Sequence, residues 1–98
     1  MKNPSYIRQT ETESIMGDRI VLYYFTEEYC DPECKTLSYA VGIDMYTQLP
    51  DRRTLKERKV SEAIFTQKQD AESFIDMLCR YIVTPATLDD IIADNVIA

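Results

Sequence analysis

Leu37-Ser38-Tyr39-Ala40-Val41-Gly42-Ile43-Asp44-Met45-Tyr46-Thr47 sets Tyr39, Val41, Ile43 and Met45 at alternate positions, opposite Ser38, Ala40, Gly42 and Asp44. A period of two predicts a β-strand with one buried face and one small or wet face. Further along, the period changes. Ala71, Phe74, Ile75, Leu78, Cys79 and Ile82 recur at i, i+3, i+4, i+7, i+8 and i+11, the stripe of an amphipathic helix. Strands therefore come first and helices last, which predicts an α+β chain rather than alternating βαβ units.

The flanking segments fill in this frame. Arg19 to Thr26 is rich in β-branched and aromatic residues and too short for a packed helix, so it predicts a strand. Before it, Met16-Gly17-Asp18 signals a turn, and residues 1–18 are read as a flexible segment or an edge strand around Tyr6 to Glu13. After it, Glu27 to Lys35 reads as an acidic loop, and residues 48–58 as a long connection containing Pro50. Lys59 to Phe65 is expected to be the next strand. Thr66-Gln67-Lys68-Gln69 fits a capping box for a helix from Thr66 to Val83. Thr84 as N-cap and Pro85 as first helical residue restart the chain, with Leu88, Ile91, Ile92 and Val96 facing inward and Asp89, Asp90 and Asp94 outward. The expected architecture is one small domain over residues 1–98, an antiparallel three- to four-stranded meander with two C-terminal helices on one face, in two layers. Gly17 marks a turn, while Gly42 inside a strand points to a bulge or a close neighbour above it.

Composition removes several chemistries. The 98 residues include no histidine, which excludes Ser-His-Asp and Cys-His nucleophile activation, HExxH helices and Cys2His2 zinc sites. Two glycines write neither a GxGxxG fingerprint nor a P-loop. Neighbouring acids such as Glu27-Glu28 and Asp89-Asp90 do not share a face, so no catalytic pair is assigned; the chain is read as a non-enzyme with no cofactor and no identified small molecule. A net charge of −6 opposes a nucleic acid partner. Neither an apolar leader after Met1 nor an apolar run of the ~18 residues a membrane span needs is visible, and a cytoplasmic setting is expected.

Order and motif also carry a resemblance. The strand-like Tyr39-Ala40-Val41-Gly42-Ile43, the capped helix Thr66 to Val83, and Val83-Thr84-Pro85-Ala86-Thr87-Leu88-Asp89-Asp90-Ile91-Ile92-Ala93-Asp94 resemble a family of bacterial, Clostridia-like proteins of similar length that forms a domain of unknown function. The resemblance covers about half of the chain. It implies a bacterial cytoplasmic protein and brings no activity with it; the acidic Cys30 to Cys34 loop is not part of the family pattern.

Three features remain as candidate sites. Cys30 and Cys34 flank a turn and could hold a soft metal or act as a redox pair, but four ligands are wanted. Cys79 falls on the helix stripe, where a cysteine acts as a small hydrophobe, and acids around the pair disfavour the thiolate. The plainer reading is a surface loop. Arg52, Arg53, Lys56, Arg58 and Lys59 concentrate five of the eleven basic residues and read either as a docking loop for an acidic protein surface or as protection of a sheet edge. Finally, Ile20, Leu22 and Tyr24 face one side of their strand and Val21, Tyr23 and Phe25 the other. Helices cover only one of these triplets, so the other calls for the N-terminal segment, a protein partner or self-association. Recognition of a protein, in a regulatory or interaction role, is the expected function, and a metal- or redox-responsive module on Cys30 and Cys34 the alternative.

Overall fold

In the computed structural model, which describes residues 2–97 and, toward the two ends, side chains from 7 to 95 only, the chain forms a four-stranded antiparallel meander followed by helices. The strands are β1 (Lys2–Glu13), β2 (Arg19–Cys30), β3 (Leu37–Gln48) and β4 (Arg53–Val60), hydrogen-bonded in sequence order. Helix α1 (Lys68–Arg80), a single 3-10 turn (Pro85–Thr87), α2 (Leu88–Ile92) and a terminal π-type turn (Ala93–Ile97) follow. The shortest dimension is 17 Å, room for two layers.

Local chemistry explains each connection. Gly17 adopts φ 89° in the first hairpin, where the Ser14 hydroxyl accepts the Asp18 amide at 3.0 Å. In the second, Asp31 Oδ1 accepts the amides of Glu33 and Cys34, at 2.8 and 3.3 Å. These side-chain caps let the alternation of Tyr23, Phe25, Glu27 and Tyr29 run to Cys30, so the segment expected as an acidic loop from Glu27 is strand up to residue 30.

The largest correction concerns residues 48–65. Leu49-Pro50-Asp51-Arg52 closes a tight turn, Leu49 N donating to Arg52 O at 2.8 Å, with proline and aspartate at its centre. Residues 53–58, expected as connection, therefore pair with β3 as an edge strand, and of the strand expected at Lys59 to Phe65 the first two residues end β4, with a Tyr39–Phe65 bridge following further on. The unbroken charged run Lys56 to Lys59 hid this strand, since an edge strand tolerates water on both of its sides.

The helix start is also corrected. Phe65 is held to Tyr39 by two backbone hydrogen bonds of 2.7 and 3.1 Å, which delays the helix; Gln67 becomes the N-cap, and no side chain caps it, so the Thr66 capping box does not form. At the other end the helix closes with Ile82 at φ 52°, its amide donating to Cys79 O while Val83 N donates to Leu78 O. This is a Schellman closure with isoleucine where glycine is usual, and it takes Ile82 off the buried stripe to 41% exposure. Thr84 caps the next turn in position without a side-chain bond, and Pro85 holds N1 as expected.

The core lies between the helices and one sheet face. Leu22 and Tyr24 of β2 and Tyr39, Val41 and Ile43 of β3 meet Ala71, Phe74, Ile75 and Leu78 of α1, then Val83, Leu88 and Ile92. Ile20 and Met45 pack at its margin, so the Ile20, Leu22, Tyr24 face is the covered one. The side chains of Tyr6 and Val96 lie outside the described residues. Among those described, no helix is long and apolar enough to cross a membrane.

Candidate functional site

Alternation on β2 places Val21, Tyr23, Phe25 and Glu27 on the sheet face away from the helices. Register then decides what stands beside them: Ile7 and Gly42 flank Phe25, Asp44 faces Tyr23 from β3 and Arg58 faces Asp44 from β4, and Tyr46 stands across from Val21. Gly42 offers no side chain, and the Phe25 ring lies down into the space, 7% exposed. Val21 is fully buried, with no helix above it. The triplet Val21, Tyr23, Phe25 is thus covered from within the sheet itself, by long side chains folded across the face.

Those side chains build a shallow cleft of about 460 Å³ lined by Ile7, Tyr23, Phe25, Glu27, Asp44, Tyr46, Arg53 and Arg58. Tyr23 and Tyr46 meet edge to face, centroids 5.5 Å apart. Arg58 makes a bidentate pair with Asp44, Nε to Oδ1 at 2.6 Å and Nη2 to Oδ2 at 2.8 Å, and its guanidinium carbon lies 5.9 Å from the Phe25 centroid. The hydrogen bonds from Arg58 to Asp44, reinforced by the charge of that carboxylate, raise the guanidinium pKa further. Arg53 donates to Gln48 and to the Tyr23 hydroxyl while standing 5.7 Å from the Tyr23 ring centre. Glu27, only 9% exposed, accepts a hydrogen bond from Tyr29 at 3.1 Å; burial, then this bond, raises the Tyr29 pKa.

The basic cluster is strand β4, and most of it is engaged internally. Arg53 and Arg58 belong to the cleft, and Lys59 reaches Asp89 of α2 at 3.1 Å. Arg52, in the turn, and Lys56, left out of register by a bulge opposite Met45 and Tyr46, are exposed. Cys30 and Cys34 are exposed free thiols at the second hairpin, while Cys79 is half-buried on α1. Among the described residues no three acidic or cysteine side chains stand close enough to hold a metal.

Reading the sequence singled out Tyr23, Phe25, Arg53 and Arg58 without bringing them together, and it missed Glu27, Asp44, Tyr46 and Ile7. One signal was available for Asp44: a carboxylate in the middle of a strand otherwise apolar or small. Glu27 continues the Tyr23, Phe25 alternation, but neighbouring acids made it look like loop.

A model for a family of unknown function (DUF6514) matches residues 2–98. The match extends the resemblance seen in the third strand and the C-terminal segment to nearly the whole chain, the Cys30 to Cys34 hairpin included. No curated protein and no solved structure matches.

Proposed function

We propose, for a chain that belongs to DUF6514, a family of unknown function, a role as a non-enzymatic binding module of the bacterial cytoplasm that engages another polypeptide through the open face of its sheet. The observation that carries this reading is the cleft: aromatic rings, a bidentate ion pair and a buried carboxylate are already held in place by neighbours, so little ordering remains to be done on binding. The basic strand competes poorly as a docking surface, because Arg53, Arg58 and Lys59 spend their charge inside the molecule. Three free thiols support a reducing compartment.

Site-specific photo-crosslinking in cells tests the reading. Ile7 and Leu55 are exposed on the open face, and Ser73 is exposed on α1. The expected result is a discrete protein adduct from positions 7 and 55 and none from 73. Adducts from position 73 alone, or from no position, overturn the proposal.

A further inference from the structure

Formal charge in the cleft sums to zero, Glu27 and Asp44 against Arg53 and Arg58, but it is not paired off evenly. Two carboxylates, Glu27 and Asp44, are more than nine-tenths buried there, and the nearest guanidinium, that of Arg58, is committed to Asp44 by both arms of its fork. Glu27 has Tyr29 as its hydrogen-bond donor and no cation within ion-pair distance among the described residues. Among the described residues every fully buried side-chain oxygen has a partner, and the second Glu27 oxygen, which accepts nothing from them, opens on the cleft. Arg58 acts on Glu27 only through space, and a largely buried carboxylate with no direct ion pair is costly, a cost that a cation arriving from outside would offset.

Resting on the open-face reading, we infer that Glu27 receives a cationic side chain, lysine or arginine, from a basic protein partner, with the aliphatic stem of that side chain laid along Ile7 and Phe25. The cleft fits this chemistry. Ile7 and Phe25 give it an apolar stretch, Glu27 lies at one end, and Arg53 is bonded to the Tyr23 hydroxyl toward the other, where it repels a cation and fixes the direction of entry. The net charge of −6 favours a basic partner and opposes a second copy of this chain.

The probe is an acetylated, amidated pentapeptide with a central lysine, titrated into isotopically labelled protein and followed by amide chemical shifts. Saturable shifts at Phe25, Glu27 and Ala40 are expected, with affinity at least tenfold below this for the same peptide carrying norleucine, and at least tenfold below for Glu27→Gln, which keeps the size and the Tyr29 contact. Equal affinity of the norleucine peptide, or shifts elsewhere, overturns the inference without relying on any variant. Tighter binding of spermidine than of the lysine peptide also overturns it, in favour of a small polyamine. In cells, the crosslink from position 55 should disappear in Glu27→Gln; if it persists, the Glu27 assignment fails while the open-face reading stands, whereas its absence from the unaltered chain refutes the open-face reading itself.

Discussion

The Phe25 ring occupies the volume that a side chain on Gly42 would need: a Cβ built on Gly42 would stand 2.6 Å from Phe25 Cε2 and nearer still to Cζ. Glycine within a strand ordinarily costs stability, so alanine at such a site would gain roughly 0.5–1 kcal/mol if space allowed. Here the ring stands in the way and the sign reverses. Gly42→Ala should destabilise by about 1–3 kcal/mol in urea denaturation, and Phe25→Leu should recover most of that loss in the double variant.

Tyr24 and Val83 carry a second test. Tyr24 is fully buried and its hydroxyl donates to the Val83 carbonyl at 2.8 Å, tying β2 to the segment after α1. Burial, with a smaller contribution from Cys79, pushes its pKa far above the ordinary tyrosine value. Unfolded tyrosine ionises near pH 10, so above that pH the unfolded chain releases a proton that the folded chain keeps. Stability is fully present below about pH 10 and falls as pH rises, by up to about 1.4 kcal/mol per unit from this group. Tyr24→Phe should lose about 1–2 kcal/mol at neutral pH, because the carbonyl is left unpaired, and should show a shallower alkaline decline in thermal melts.

The Asp44–Arg58 pair is asymmetric. The Asp44 side chain is 11% exposed and that of Arg58 58%. Removing the arginine strands a buried carboxylate, whereas removing the carboxylate frees a guanidinium that water already reaches. Arg58→Met, which keeps an apolar stem over Phe25, should therefore cost more than Asp44→Asn: about 2 kcal/mol against about 1 or less. Equal losses in denaturant midpoints would refute this account.

Much of this was legible from residue patterns, and the misses share one cause. Period two in Leu37 to Thr47 and the helix stripe from Ala71 depend on burying one face, so they announced themselves. Strand β4 buries almost nothing; its residues are charged or polar apart from Leu55 and Val60, and hydrogen bonding to β3 is what makes it a strand. The cleft was hidden for a related reason. Glu27, Asp44 and Arg58 come from three strands, and only register brings them together, so the sequence offered Asp44 as an anomaly with no partner named.

Ile82 offers a gain rather than a loss. A β-branched residue at φ 52° carries strain of roughly 1–2 kcal/mol, and at 41% exposure its side chain contributes little burial in return. Ile82→Gly or Ile82→Asn should raise the melting temperature by several degrees, since about 1 kcal/mol shifts a domain of this size by ~4–8 °C. A decrease would show that the side chain contributes more packing than the strain costs.

Lys56 tests what the basic strand is for. It is the extra residue of the bulge in β4, exposed on an edge strand that is otherwise free to pair with another sheet. Bulge and charge together keep that edge from adding a neighbour, while Lys59 and Arg58 are occupied by Asp89 and Asp44. Deleting Lys56 restores an unbroken ladder, and Lys56→Val removes the charge but leaves the bulge. Light scattering at neutral pH should show association for the deletion and weaker association for Lys56→Val, with the melting temperature of the latter little changed. If Lys56→Val stays monodisperse and loses the crosslinked partner of position 55, Lys56 contacts that partner and edge protection is not its role.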